Sequence, residues 1–213
     1  MRTELWQNIA SHSQVGLLRS HSIWITPEAT SVPIGALTAW QGLFEHAKLQ
    51  AGERVLVHGG AGAVGVFVIQ LARSCGAYVI TTVSAQNIEF VMGLGAAEAL
   101  DYRAGSFEGK VRDVDVVFDA VGGETLDRSW GVLKENGRLV TIAAGSEATL
   151  DERIKRSFFI VEPYREQLVE IGRRIDAGEL RPVVDTVLPL SKAADAYTGK
   201  IEKKGRGKLV VTT

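Results

Sequence analysis

One cysteine, Cys75, is all the chain contains, which excludes an internal disulfide and any cysteine-rich zinc cluster and fits a reducing compartment. No run of eighteen or more apolar residues occurs, so no segment reads as a membrane span. The opening residues, MRTELWQNIASHSQ, carry Glu4 early and have no continuous apolar stretch, so they do not read as a secretory signal. Neither sign of charge prevails. With 24 Lys plus Arg against 25 Asp plus Glu, there is no broad field to draw in nucleic acid or an anionic membrane. These absences predict a cytoplasmic protein that recognises a small molecule locally, without nucleic acid or membrane as partner. What the chain does have is a hydrophobic fraction of 46% over 213 residues, enough for one sizeable core.

Apolar runs and breakers alternate with the spacing of a strand-and-helix protein. Arg54 to His58 reads as a short strand, Val64 to Ser74 as a helix apolar on almost every side, and Ala77 to Val83 as the next strand. That unit has the length of a parallel crossover. A helix over Ile88 to Leu94 closed by Gly95, a strand over Glu98 to Tyr102 and a buried strand over Val114 to Ala120 follow. Next come a helix over Thr125 to Lys134, the turn Glu135-Asn136-Gly137 and a strand over Arg138 to Ala143. Phe158 to Val161 reads as a sixth strand, and Pro163 to Ala177 as an amphipathic helix with Tyr164, Leu168, Ile171 and Ile175 on one face. The pattern predicts an α/β fold, a doubly wound parallel sheet with helices on both faces in three layers.

Gly60, Gly62 and Gly65 satisfy G-x-G-x-x-G at a strand-to-helix junction. In that pattern Gly60 allows the tight turn, Gly62 lets backbone approach a pyrophosphate, and Gly65 lets helix and strand pack closely. A helix beginning near Ala63 aims its unpaired N–H groups and positive dipole end at the anion. The alternative is a glycine-rich connector with no ligand. A nucleoside triphosphate loop is disfavoured because no G-K-[ST] follows. An NAD site places Asp or Glu at the end of the second strand, yet no acidic residue stands between Glu53 and Glu89, where the chain reads Thr82-Val83-Ser84-Ala85-Gln86-Asn87. The missing carboxylate favours NADP(H), although a cation expected beside a 2′-phosphate is not found in this stretch.

These segments, from SVPIGALTAWQGLFEHAKLQAGERVLVHGGAGAVG through LGAAEALDY, DVDVVFDAVGGETL and LKENGRLVTI to LRPVVDTVLPLSKAADAY and GRGKLVV, resemble the medium-chain dehydrogenase/reductases. The chain is most similar to the zinc-free, NADPH-dependent quinone oxidoreductase branch, the zeta-crystallin-like one, within this alcohol dehydrogenase-like superfamily. The resemblance implies a Rossmann-type domain with strand order 3-2-1-4-5-6, hydride transfer between NADPH and a quinone or α,β-unsaturated carbonyl, and a homodimer formed through the sheet edge. It implies that Thr38 lies beside the nicotinamide half and that Gly62, Ala63 and Val64 hold the pyrophosphate. It places Ser84 and Asn87 at the 2′-phosphate with Thr82 near them, Tyr102 on the adenosine side, and Val121, Ala143 and Phe159 at the nicotinamide end.

By the same resemblance a Rossmann domain covers residues 28–180 and is preceded by an extension over 1–27 with short apolar patches at Val15 to Leu18 and Ile23 to Ile25. The extension is too short for the GroES-like barrel of the family. Residues 181–213 then correspond to strands that return to that barrel, and must pack on the Rossmann domain, pair with the extension or another chain, or stay partly exposed. Two functions fit: an NADPH-dependent oxidoreductase, or a non-catalytic NADP(H)-binding module. An enoyl reductase fragment of a multidomain synthase is a third. The histidines His12, His21, His46 and His58 have no metal-ligand spacing. No G-x-S-x-G elbow is present. His58 is open to two readings, proton donor or hydrogen-bonded structural residue, and Cys75 reads as a small buried hydrophobe.

Overall fold

The computed structural model describes residues 26–202 and 204–212. Helix α1 (Thr26–Trp40) contains the LTAW segment and continues as a π-helical turn over Gln41–His46. Strand β1 (Arg54–His58) leads through the glycine loop into α2 (Gly65–Ser74), and β2 (Tyr78–Val83) completes the first crossover. Helix α3 (Ile88–Leu94) ends on Gly95, whose φ of 110° is a left-handed cap that a side chain would resist. There follow β3 (Glu98–Asp101), β4 (Val114–Asp119), α4 (Glu124–Ser129) and β5 (Leu133–Thr141). Helices α5 (Glu152–Ser157) and α6 (Arg165–Asp176) precede β6 (Val184–Pro189), α7 (Ala193–Tyr197) and β7 (Lys208–Thr212).

Five strands pair in parallel in the order β3-β2-β1-β4-β5. Their apolar runs do not alternate because both faces are covered. Val55 and Val57 of β1 enter a cluster with Val32 of α1, Phe67 of α2 and Ile171 of α6, whereas Leu56 enters the opposite one with Leu126 of α4 and Ile154 of α5. Burying each such side chain contributes about 1.5–3 kcal/mol. The result is the expected three-layer Rossmann-type αβα arrangement.

Four local expectations need correction. The sixth strand does not form: Phe158 makes a single parallel bridge to Thr141, and beyond it the backbone of Glu162 is captured by a side chain. Gln41 donates from Nε2 to the Glu162 carbonyl and accepts from the Glu162 N–H through Oε1, both at 2.9 Å, so the residue that follows the segment is held by a side chain and not by a strand. The helix expected over Thr125 to Lys134 stops at Ser129 and tightens into a 3₁₀ turn over Trp130–Val132. The turn Glu135-Asn136-Gly137 becomes an excursion inside β5, with Leu133 paired to Val114, Arg138 paired to Val116, and Asn136 at φ 63°. Tyr164 precedes α6 and is exposed, while Leu168 and Ile171 face the core.

Strands β6 and β7 pair with each other in parallel and pack against α1. Several attachments fasten this segment to the sheet domain, two of them at α2 and the glycine loop. Gln70 of α2 exchanges hydrogen bonds with the backbone of Arg181, and the Gly207 N–H donates to the Ala61 carbonyl at 2.7 Å. The apolar patches at 15–18 and 23–25, with His12 and His21, lie outside the described residues.

Candidate functional site

A cleft of about 870 Å³ opens at the carboxyl ends of the strands. His58 ends β1 there, Thr82 and Val83 close β2, Tyr102 follows β3, Val121 follows β4 and Ile142 follows β5. This is the place where strand order reverses between β1 and β4, the position at which open parallel sheets take their ligands.

The three motif glycines divide the work differently from the sequence expectation. Gly59, with φ 80°, makes the turn. A Cβ on Gly60 would sit 2.0 Å from Thr81 Oγ1, so Gly60 serves close packing beneath the loop, away from the cleft. Gly65 does the same for the helix, since its Cβ would lie 2.3 Å from the Gly59 carbonyl oxygen. Gly62 alone of the three is exposed, and with Ala63, Val64 and Gly65 it lines the cleft. Val66 and Val68 bond back to the carbonyls of Gly62 and Val64, so residues 63–65 stand at the opening of the helix, where N–H groups have no intrahelical partner. Such a helix end is suited to an anion.

Beneath the loop lies a closed polar set. His58 is wholly buried, with Thr82 Oγ1 at 2.9 Å from Nδ1 and Ser129 Oγ at 3.0 Å from Nε2. Because the Ser129 hydroxyl donates to the Thr125 carbonyl at 2.6 Å, its oxygen accepts from Nε2–H, and Nδ1 accepts from the Thr82 hydroxyl. A neutral imidazole satisfies every partner. Burial holds its pKa down to about 4, against the pull of the Asp119 charge. The structural reading of His58 therefore fits, and Thr82, which edges the cleft, directs its hydroxyl to this histidine. Asp119, unremarked in the sequence, is buried at the end of β4, where it accepts the N–H groups of Val121 and Gly122 and the Thr141 hydroxyl. It thereby ties together the turns after β4 and β5.

At the end of β2, Ser84 and Asn87 meet, with Asn87 Nδ2 at 3.3 Å from Ser84 Oγ. Tyr102 is exposed across from them, with the Arg103 guanidinium 5.2 Å from its ring. Among the described residues, those lining the cleft include Arg103 and Arg128 and no Asp or Glu. Neither arginine was singled out in the sequence, where nothing local distinguishes them from surface charge.

Thr38, Gly60, Ala143 and Phe159 lie off the cleft lining. Thr38 is buried and bonds its own helix at the Ile34 carbonyl, 2.6 Å away. Ala143 packs where a Gly122 Cβ would stand, and it is the preceding Ile142 that reaches the cleft. Phe159 is buried against Gly42 and stacks on the His46 ring at 4.3 Å. Cys75 is half-buried behind the sheet, its thiol near the Leu49 carbonyl.

A family model described as "Zinc-binding dehydrogenase" matches residues 94–211. Over 94% of its length the chain is 34% identical to an Arthroderma benhamiae protein named "Probable zinc-binding oxidoreductase, mitochondrial", of which it spans 70%. It is 35% identical to the chloroplastic NADPH-dependent alkenal/one oxidoreductase of Arabidopsis thaliana over 86% of the chain and 46% of that protein. The solved quinone oxidoreductase of Coxiella burnetii superposes with a TM-score of 0.78 at 33% identity, covering 87% of this chain and 60% of that one. The zinc in two of these names has no counterpart in the described residues, among which no three histidine, cysteine or acidic groups converge. His58 is held by two hydroxyls and His46 by a ring.

Proposed function

Since the chain belongs to the medium-chain dehydrogenase/reductase superfamily, in its quinone oxidoreductase-like branch, we propose that the cleft binds NADP(H) and that the protein transfers hydride to a quinone or an α,β-unsaturated carbonyl. The observation that carries this reading is a cleft at the sheet's switch point whose lining, among the described residues, holds Arg103, an Arg128 paired with Glu108 just outside it, a helix N-terminus and no carboxylate. Such a lining favours a polyanion carrying a pyrophosphate and a further phosphate. The N–H groups of Ala63, Val64 and Gly65 hold the pyrophosphate, and Gly62 leaves the space it needs. Ser84 and Asn87 take the adenosine ribose and Tyr102 flanks that side. Val121 and Ile142 border the nicotinamide end with apolar surface that keeps water off it. The dinucleotide, when bound, supplies the hydride, and the chain supplies position and electrostatics.

The chain spans 46% to 70% of the relatives named above, and the five-stranded and two-stranded sheets are the sheets found among the described residues. That observation favours a second reading, an NADP(H)-binding module without turnover of its own, because a substrate must be oriented against a second wall. Titration with NADPH and NADH, followed by an NADPH oxidation assay across several quinones and enones, decides between them. Binding with quinone-dependent oxidation supports the oxidoreductase, binding without oxidation supports the module, and no binding overturns both.

A further inference from the structure

The end of β2 lacks the cation a phosphate would call for, and the structure delivers one from the far end of the chain. Arg206, on the loop before β7, donates from Nε to Asn87 Oδ1 at 2.8 Å and from Nη2 to the Gln86 carbonyl at 3.0 Å. Its guanidinium lies 4.9 Å from the centre of the Phe90 ring, and its own N–H is held by Asp185 at 2.9 Å. The side chain is thus seated against Asn87, Gln86 and Phe90. The preceding residue, Gly205, lines the cleft directly and accepts from Asn87 Nδ2 at 3.3 Å.

Beside this contact lies a second hollow of about 600 Å³, lined by Gln86, Thr186, Glu202, Lys204 and Arg206, which shares Gln86 with the cleft. Two cations face one carboxylate there, so the hollow carries a positive excess where the ribose-binding edge of the cleft ends. The Arg206 bond also settles which way the Asn87 amide points. Because Oδ1 is taken by the guanidinium, the amide NH₂ is turned toward Ser84 Oγ and the Gly205 carbonyl, to each of which it makes a long contact of 3.3 Å. An incoming anion can therefore recruit that NH₂, the Ser84 hydroxyl and the guanidinium N–H groups still uncommitted among the described residues.

We propose that Arg206 is the residue by which this cleft selects a 2′-phosphorylated adenosine ribose over a bare one, both through its charge and by fixing the Asn87 amide. The inference rests on the NADP(H) reading above and extends it to the C-terminal loop. A phosphomonoester carries about −1.5 to −2 charge near neutral pH and matches the donor fork of a guanidinium, whereas a ribose hydroxyl in the same place gains little from it.

The test compares wild type, Arg206→Gln and Arg206→Lys in titrations with NADPH, NADH, 2′,5′-ADP and 5′-AMP, with cooperative thermal unfolding as the control for fold. Charge-assisted hydrogen bonds of this kind predict that Arg206→Gln weakens NADPH and 2′,5′-ADP about tenfold to a hundredfold while NADH and 5′-AMP change less than about twofold. Arg206→Lys, which keeps the charge without the fork, falls between. Equal losses for phosphorylated and unphosphorylated ligands, or no loss in Arg206→Gln, overturn the assignment and leave the cleft reading standing. A wild-type protein that binds none of the four overturns both.

Discussion

One methyl group, added at either of two glycines three residues apart, has opposite consequences. In Gly65→Ala the new Cβ falls 2.3 Å from the Gly59 carbonyl oxygen and 2.7 Å from the Gly60 Cα. Both are backbone atoms, so relief requires α2 to back away from β1, and that movement opens the packing of the wholly buried Val66 and Ile69. Overpacking costs about 1–3 kcal/mol, and contact with backbone puts this case at about 3 kcal/mol. In Gly62→Ala the nearest atom is the Gly59 carbonyl oxygen at 3.2 Å, φ is not left-handed and the residue is exposed on the cleft. Folding stability should then stay within about 0.5 kcal/mol of wild type. The same methyl stands where the anion must approach. Loss of one charge-assisted N–H contact costs about 1.5–3 kcal/mol, or about tenfold to a hundredfold in NADPH affinity. Urea denaturation of both variants, paired with NADPH fluorescence titration, reads the two effects separately. Unchanged NADPH affinity in Gly62→Ala, or wild-type stability in Gly65→Ala, would refute the division of roles among these glycines.

Three more outcomes follow from the geometry. His58 is held at a pKa of about 4 against 6.5 when free, so the unfolded chain binds an extra proton across that window and stability falls as pH drops through it. The loss totals about 3 kcal/mol, is absent above pH 6.5, and should shrink in His58→Gln; denaturation midpoints that depend on pH equally in both proteins would contradict this. Gln41→Ala leaves the Glu162 N–H and carbonyl without their buried partner and should cost about 2–4 kcal/mol in urea denaturation, with an undiminished midpoint as the contrary result. Gly207→Ala places a Cβ 2.2 Å from the Val183 carbonyl oxygen at φ 72°, so the C-terminal loop should detach from the glycine loop. Hydrogen exchange at the Gly207 amide, now bonded to Ala61, should accelerate; continued protection would show that the loop holds by other means.

The parts of the molecule legible in the sequence are those written in local pattern. Strand β1, the glycine loop and α2 follow from a β-branched run, spaced glycines and an apolar helix within a few tens of residues. The cleft residues Ser84, Asn87, Tyr102 and Val121 are named through the family resemblance, and each stands just beyond a strand that local pattern makes recognisable. The rest depends on contacts that no spacing records. Phe158 to Val161 has strand composition, yet it makes one bridge, to Thr141, and the next residue, Glu162, is held by an amide 121 positions earlier. Gly60 occupies the motif position of the tight turn, but the preceding Gly59 holds the positive φ. Arg206 reaches Gln86 across 120 positions, and its setting in GRGK looks like the mere approach to a strand.

The bridge between Gly62 and Gly207, with the Gly207 amide on Ala61, joins the loop of the first crossover to nearly the last residues of the chain. During synthesis the five-stranded sheet can assemble from residues already made, since its strands close by Thr141. The loop receives its backing only when residue 207 emerges. A nascent chain can therefore own a folded sheet before it owns a finished cleft, so that dinucleotide affinity becomes a readout of whether the segment around Gly207 is made and in place.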